Sequence, residues 1–340
     1  MTLIAGENAQ GKTSLLEAIA TVCGQRSFRR ARPAEMARDG RSFRVEAVVE
    51  TAAGAEPISV AWSRESGRGF QKGEKAASFR EISALAPAVF LAPEHRDLIA
   101  GAPAVRRRFL DRLVLSAHPA AGEDLVRFER SLAERNALLA RAAGGRGAAG
   151  EFETWTEELV RTGAAVRRHR RRALAEWAEF FGELTTAAGP EYSTVSVGYV
   201  SEGETEEELR TTLSRLSTLE KKRGHTLSGP HRDDLAWIRD GRPLATQASA
   251  GELHRTVALA KLAEWRVVER VRGQTPLLGV DDFDAGLSPA WVEAFLRELP
   301  EAATVLLTTA GEPSRWRGWA AEVLEIRGGA VASRPRAVND

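Results

Sequence analysis

Residues 6–13, GENAQGKT, match the spacing G-x-x-x-x-G-K-T of a phosphate-binding loop, or P-loop. The two fixed glycines let backbone N–H groups turn toward a polyphosphate at the N-terminus of the following helix. The ammonium group of Lys12 would reach the β- and γ-phosphates, and the Thr13 hydroxyl would ligate magnesium. The alternative is a Gly-rich turn that matches by chance. Nucleotide contacts are predicted at Gly6, Glu7, Asn8, Ala9, Gln10, Gly11, Lys12 and Thr13.

Two adjacent carboxylates end an apolar stretch far along the chain, in the sequence PLLGVDD at 276–282. A P-loop needs an acidic partner on a neighbouring strand to hold magnesium. Asp281 is predicted to hold the metal through water, and Asp282 to orient the water that attacks the γ-phosphate. Asp282 and Lys12 are therefore the predicted catalytic residues. A helix cap or turn is the alternative interpretation, and the presence of the P-loop favours the metal.

The sequence ASAGE at 248–252 precedes this acidic strand and opens a predicted helix. Ser249 and Gly251 would place a hydroxyl and a helix N-terminus beside a phosphate, which in ABC ATPases belongs to the opposite subunit. Taken alone, the pattern fits an ordinary Ser N-cap better. Its order and spacing relative to the other two motifs favour the nucleotide interpretation.

The elements around these motifs predict an α/β fold. A strand at 1–5 and a helix from Lys12 to about Cys23 flank the P-loop, and alternating residues predict strands at 43–49 and 58–62. Long helical periodicity begins near residue 102. The segments it predicts are helices at 105–116, 125–142 and 152–187, a hairpin tip at 142–150, a strand at 192–200 and an acidic helix at 204–219.

The C-terminal part returns to alternating helices and strands, at 251–271, 275–280, 289–299 and 304–308. Such alternation implies a parallel sheet. The two ends of the chain are therefore predicted to build one P-loop head, from 1–93 and 220–340, with an inserted helical lobe at 94–219.

Composition sets limits on other functions. The 340 residues carry a formal net charge of +1, so the overall charge does not indicate a nucleic-acid partner. The single cysteine, Cys23, excludes an intramolecular disulfide and a Cys-based zinc cluster, and is expected to be buried. Neither a signal peptide nor an apolar membrane span is apparent, so the expected location is the cytoplasm.

Local clusters of arginine are the candidates for binding nucleic acid. One lies at 26–44 and another at 167–172, and a third run covers 106–108. Several guanidinium groups on one face bind phosphates without reading sequence. For the 167–172 run, a solvated helix face is an equal alternative. DNA contacts are predicted at Arg29, Arg30, Arg106, Arg107, Arg168 and Arg171.

Further motifs resemble the RecF family of bacterial DNA-repair proteins, in order and over nearly the whole chain. They are SFR at 27–29, VFLAPE at 89–94, LIAG at 98–101, RRRFLD at 106–111, SGPHRDD at 228–234 and ASAGELHRTVALA at 248–260. The resemblance implies an ABC-type ATPase head that uses ATP and Mg²⁺, forms an ATP-dependent homodimer and hydrolyses ATP slowly when stimulated by DNA. It also implies binding at single-strand gaps and action with RecO and RecR to place RecA.

The resemblance assigns two further pairs of residues. Glu94 and His95 would act in a Q-loop, and Thr308 and Thr309 would lie at the switch position after the last core strand. Where the family has a D-loop of the type Ser-Glu-Leu-Asp, this chain has Ala-Gly-Leu-Ser at 285–288, without either carboxylate. Hydrolysis is consequently less secure than binding, so an ATP-gated DNA-binding scaffold remains an alternative, as does another SMC-like or defence ATPase head.

Family members also carry about two strands ahead of the P-loop strand, whereas this chain begins a few residues before Gly6. The absence of an edge hairpin would leave backbone groups unpaired. We therefore expect a start codon assigned downstream of the true one.

Overall fold

A computed structural model describes residues 1–51, 54–143, 149–299 and 303–333. Contacts divide the chain into two units, Met1–Arg96 with Ser249–Asp340, and Asp97–Ala248. We call them the head unit and the inserted unit. The inserted unit extends past the predicted boundary at 219, because the strand at Asp234–Arg239 pairs with Val195–Val200 and stays in that unit. The predicted hairpin tip lies mostly at 144–148, outside the described residues.

The first segment of the head unit contains the strand, loop and helix expected around the P-loop, followed by an antiparallel sheet of four strands. The strands of the segment are Thr2–Ala5 (β1), Ser42–Thr51 (β2), Gly54–Ser63 (β3), Gly67–Lys72 (β4), Lys75–Ala77 (β5) and Ala88–Leu91 (β6). The antiparallel sheet has the order β2-β3-β4-β5. The helices of the segment are Lys12–Val22 (α1), Pro33–Met36 (α2) and Phe79–Leu85 (α3), followed by a 3₁₀ turn at Pro93–Arg96.

The inserted unit is mainly helical. Its helices are Asp97–Ala100 (α4), Pro103–Ala117 (α5), Gly122–Ala143 (α6), Ala149–Ala188 (α7), Pro190–Ser193 (α8) and Glu206–Arg223 (α9). Its strands are Val195–Val200 (β7), Asp234–Arg239 (β8) and Arg242–Pro243 (β9), which form a sheet in the order β7-β8-β9. The strand predicted from residue 192 begins only at Val195, since Pro190 occupies the first turn of α8 and favours a helical start there.

The head unit resumes with Ala250–Arg272 (α10), Leu277–Val280 (β10), Pro289–Arg297 (α11), Val305–Thr309 (β11), Glu322–Arg327 (β12) and Ala330–Ser333 (β13). A sheet of six strands runs in the order β13-β12-β1-β11-β10-β6. Every pairing is parallel except that of β12 with β13. The predicted parallel sheet is confirmed. It brings the carboxyl ends of β1, β10 and β11 to one edge.

Helix α1 packs its apolar side among both sheets of the head unit. Leu16 and Ala20 are fully buried and belong to one cluster with Ile4 of β1, Val60 of β3 and Phe90 of β6. Cys23 is buried in the same cluster. Burial of this apolar stripe holds α1, and therefore the loop that precedes it, in a fixed position on the sheet.

The inserted unit has its own core, in which aromatic rings join helices to a strand. Trp177 and Phe181 of α7 stack at 4.5 Å, and both meet Trp237 of β8 edge-on. A second cluster joins α6, α7 and α9. Among the described residues, no helix is both long and apolar enough to span a bilayer.

Candidate functional site

The P-loop runs from the end of β1 to the start of α1. Gly11 caps α1 with φ of 103°, and Gly6 adopts φ of 159°. A Cβ atom built on Gly6 would lie 2.6 Å from the carbonyl oxygen of Ile326 in β12. Only glycine therefore fits the first position of the loop, because the neighbouring atom belongs to backbone that is fixed in the sheet.

Replacing Gly6 with alanine is expected to abolish nucleotide binding and to lower the free energy of unfolding by ~1–3 kcal/mol. The added methyl group would have to push β12 away. Binding of a fluorescent ATP analogue and denaturant unfolding check both effects. Gly286→Ala is the matched control, since Gly286 also has positive φ, at 70°, but its Cβ would meet open space. Equal loss of binding in both variants would contradict the steric argument.

Lys12 is buried and holds the loop from within. Its Nζ donates to the carbonyl oxygens of Gly6 at 2.7 Å and Glu7 at 2.9 Å. An ammonium group has three protons, so these two bonds leave the third for a ligand in the loop. The side chain therefore lies within the loop, and its contact with phosphate stays a prediction.

Gln10 ties the loop to the turn between β12 and β13. Its side-chain Oε1 accepts from the N–H of Gly328 at 2.7 Å, and its carbonyl oxygen accepts from the N–H of Gly329 at 2.9 Å. Sequence reasoning missed this contact, because nothing in the motif indicates a partner more than three hundred residues away. The C-terminal hairpin thus fixes the shape of the P-loop.

Asp281 directly follows β10 and lies against the first turn of α1. Its Oδ1 accepts hydrogen bonds from Thr13 Oγ1 at 3.0 Å and from Thr308 Oγ1 at 2.7 Å. Burial raises the pKa of this carboxyl, the two hydroxyl donors oppose that rise, and the charge of Glu94 adds to it. The structure therefore brings together the two residues predicted as metal ligands, Thr13 and Asp281.

The two oxygens also suit a magnesium ion. They lie 3.0 Å apart, so an ion bound by the Thr13 hydroxyl would lie within reach of the Asp281 carboxylate, directly or through one bound water. Hydroxyl and carboxylate oxygens are the ligand types that magnesium prefers. Thr13 and Asp281 would hold such an ion.

Asp282 has φ of 46°, a left-handed conformation that is uncommon outside glycine. Its backbone N–H donates to Thr308 Oγ1 at 2.8 Å, so one hydroxyl holds both acidic residues. Burial, followed by the charge of Asp281, raises the pKa of the Asp282 carboxyl, and Lys12 opposes the rise. The charge of Lys12 thus acts on the Asp282 carboxyl.

Ser249 and Gly251 begin α10 as predicted. Ser249 Oγ accepts from the N–H of Glu252 at 3.2 Å, and the Glu252 side chain accepts from the N–H of Ser249 at 2.8 Å. This reciprocal pair is a capping box. The N-cap interpretation therefore holds within the chain, and a contact with nucleotide stays a prediction.

The residues assigned to a Q-loop and a switch also lie in the head unit. His95 Nδ1 accepts from the N–H of Ala92 at 2.9 Å, which closes the turn that contains Glu94. Thr308 binds Asp281, and the neighbouring Thr309 donates to Asp284.

A cavity of about 810 Å³ opens beside the P-loop, lined by Gly6, Glu7, Gln10, Glu312, Glu325 and Arg327 among others.

The arginines predicted to contact DNA have different surroundings. In the head unit, Arg29 is partly exposed, with Nη1 3.9 Å from Glu17 Oε2. In the inserted unit, Arg106 binds Asp234 through both Nε, at 2.6 Å, and Nη2, at 2.8 Å. Arg107 donates to the carbonyl oxygen of Asp233. The Arg106 guanidinium therefore makes its hydrogen bonds within the inserted unit, mainly to Asp234.

The arginines of the run 167–172 lie on different sides of α7, because successive residues of a helix point in different directions. Arg167 and Arg170 are buried, and they bind Asp233 and Asp111 respectively through two hydrogen bonds each. Arg171 lies over the ring of Tyr199, whereas Arg168 is exposed. The run is thus neither a uniform phosphate-binding face nor a wholly solvated one.

His231 of the SGPHRDD motif supports a prediction on pH. Burial lowers its pKa to about 4, and its Nε2–H donates to the carbonyl oxygen of Thr226. The unfolded chain takes up a proton near pH 6.5, whereas the folded ring stays neutral until about pH 4. Stability is therefore expected to fall as pH drops between those values, by ~2 kcal/mol after partial exposure is allowed for.

Urea unfolding at several pH values checks this expectation. His231→Gln keeps a donor for Thr226 but does not titrate in this range, so its free energy of unfolding should change less between pH 6.5 and 4. Identical pH dependence in the two proteins would exclude His231 as the source.

The parallel sheet, the P-loop between β1 and α1 and the acidic pair at the end of β10 define an ABC-type ATPase head. The fold resembles the Smc head bound to the C-terminal winged-helix domain of ScpA, with a TM-score of 0.51 at 14% identity over 97% of this chain and 88% of that one. No family model matches the chain.

Comparison with relatives then gives the family. The chain is 33% identical over 317 residues to the DNA replication and repair protein RecF of Syntrophotalea carbinolica, covering 92% of this chain and 86% of that protein. A solved structure of the recombination mediator protein RecF with ATP matches with a TM-score of 0.89 at 25% identity, over 98% of this chain and 91% of that one. The chain belongs to the RecF family.

Proposed function

We propose that this protein binds ATP through its P-loop and uses it to control binding to DNA in replication and repair. The observation that carries the proposal is the hydrogen-bonded group of Thr13, Asp281 and Thr308 at the start of α1, next to a P-loop in which Lys12 binds the carbonyl oxygens of Gly6 and Glu7. The names of its relatives supply the DNA context, since they are DNA replication and repair proteins and one of them is solved with ATP.

Hydrolysis would use the same group of residues. Thr13 and Asp281 would hold magnesium, which, when bound, would offset the negative charge of the phosphates. The third proton of Lys12 would bind the terminal phosphates, and Asp282 would accept a hydrogen bond from the attacking water. The bond of the Asp282 N–H to Thr308 holds the backbone of this residue, with its positive φ, in one conformation before any ligand arrives.

An ATP-dependent homodimer would complete the site. In this arrangement, the N-terminus of α10, with Ser249 and Gly251, would meet the γ-phosphate held by the other copy. Ser249 is exposed and Gly251 is partly exposed, as a contact with the other copy requires. We further propose that the dimer binds DNA at single-strand gaps and acts with RecO and RecR to load RecA, since the solved relative belongs to the RecFOR pathway.

DNA contacts are proposed at Arg29 and Arg168. Both side chains reach solvent, and phosphate contacts of this kind give affinity that falls as salt rises. Arg106 is left out of this proposal, because Asp234 and two carbonyl oxygens already accept its hydrogen bonds.

A second candidate function is an ATP-gated DNA-binding scaffold that scarcely hydrolyses ATP. The residues at 285–288 favour it, because a loop without carboxylates has lost charged groups that could act across a dimer. In this case ATP binding alone would drive dimer formation, and the dimer would separate only when the nucleotide dissociates or is exchanged.

Sedimentation of the purified chain with and without magnesium-ATP, run beside phosphate release in the presence of gapped DNA, tests both candidates. A dimer that forms with ATP and releases phosphate faster with gapped DNA supports the ATPase. A dimer without release supports the scaffold. A protein that binds neither ATP nor DNA would exclude both.

A further inference from the structure

Asp284 lies two residues beyond the acidic pair and accepts hydrogen bonds from two side chains. Thr309 Oγ1 is 2.9 Å from each of its carboxylate oxygens, and Trp316 Nε1 donates to Oδ2 at 2.9 Å. Thr309 ends β11, and Trp316 belongs to a 3₁₀ segment at Pro313–Trp319. One carboxylate thus joins the loop after β10 to two later parts of the head unit.

Both partners of Asp284 are buried, and its hydrogen bonds to them are partly shielded from water. Trp316 is 3% exposed, and its ring meets Phe283 edge-on at 5.3 Å. Phe283 is also 3% exposed, and its N–H donates to the carbonyl oxygen of Thr308. A hydrogen bond that is shielded from water in this way restrains its partners more than an exposed one does.

The chain between Asp281 and Asp284 is therefore fastened at both ends by two neighbouring threonines. Thr308 binds the Asp281 carboxylate and the N–H of Asp282, and Thr309 binds the Asp284 carboxylate. Asp282 lies between these points in a left-handed conformation. A non-glycine residue keeps that conformation only where the surrounding structure restrains it.

We propose that Asp284 is the positioning residue that holds Asp282 in place for ATP hydrolysis. The proposal rests on the function proposed above. Asp284 does not touch the nucleotide; it acts through Thr309 and Trp316, which fix the backbone that follows Asp282. Loss of these bonds frees the Asp282 carboxylate to move, whereas Lys12 and Thr13 keep their own contacts and still bind ATP.

The test measures kcat and KM for ATP in four variants with gapped DNA present. Asp284→Ala and Thr309→Val should each lower kcat by ~10- to 100-fold and leave KM within about twofold, because displacement of a catalytic group slows chemistry without weakening binding. The double variant should be no slower than Asp284→Ala, since both changes remove one interaction. Asp284→Asn retains an acceptor oxygen and should recover much of the rate.

Controls separate this proposal from the one it rests on. Glu293→Ala removes a half-exposed carboxylate of α11 in the same unit and should keep the wild-type rate. Circular dichroism shows whether each variant folds; if Asp284→Ala does not, Asp284→Asn and Thr309→Val provide the test. Wild-type hydrolysis no faster than that of Asp282→Asn would overturn the proposed ATPase itself. Active wild type with unchanged kcat in the Asp284 and Thr309 variants, or multiplied losses in the double variant, would overturn the role of Asp284 alone.

Discussion

Replacing Asp282 with asparagine is expected to slow ATP hydrolysis by ~10²–10⁴-fold while leaving ATP binding unchanged. Asparagine has the same shape and also tolerates the left-handed backbone, so the N–H bond to Thr308 is retained. The change removes the negative charge of the carboxylate, which orients the attacking water and can accept its proton. Phosphate release and binding of a fluorescent ATP analogue measure the two effects separately.

Asp240→Asn is the matched control for this prediction. Asp240 also has positive φ, at 50°, but it lies exposed in the turn between β8 and β9. Its replacement should leave phosphate release at the wild-type rate. If Asp282→Asn still hydrolysed ATP at that rate, Asp282 would have no part in the chemistry, and the acidic pair would serve binding alone.

Replacing Asp233 with alanine is expected to lower the free energy of unfolding of the inserted unit by ~3–5 kcal/mol. Asp233 and Arg167 are each 1% exposed and share two hydrogen bonds, at 2.7 and 2.9 Å. Tyr199 also donates to this carboxylate. The variant leaves the guanidinium of Arg167 buried without its counter-ion, which costs more than the ion pair itself contributes.

Denaturant unfolding followed by circular dichroism measures this loss. Glu157→Ala breaks an exposed ion pair with Arg210 in the same unit, and should cost less than ~1 kcal/mol. A loss for Asp233→Ala no larger than that of Glu157→Ala would mean that water reaches Arg167. The double variant Arg167→Met with Asp233→Leu should recover part of the lost stability, because it removes both charges together.

The head could be predicted from sequence because its signals are local. Residues 6–13 specify a loop with a strand before and a helix after, and the apolar run before Asp281 specifies a strand that ends in acid. The observed β1, α1 and β10 confirm those elements. The role of Asp284 was not predicted, since its partners Thr309 and Trp316 come from segments whose approach depends on tertiary packing.

The arginines show where local reasoning fails. Successive residues of a helix point in directions about 100° apart, so a run of five arginines on α7 covers both the buried and the exposed sides. The partners of Arg167 and Arg170 lie more than fifty residues away in the sequence. They are Asp233, immediately before β8, and Asp111 in α5. A sequence pattern counts the charges of such a run but does not identify the counter-ion of each one.

The order of strands in the main sheet has a consequence for synthesis of the protein. β1 is translated before both of its neighbours, β11 and β12, which lie about three hundred residues later in the chain. The P-loop is also closed by Gly328 and Gly329. The P-loop can therefore take its observed shape only after β12 and these two glycines have been translated, whereas the inserted unit, which is continuous in sequence, can fold earlier.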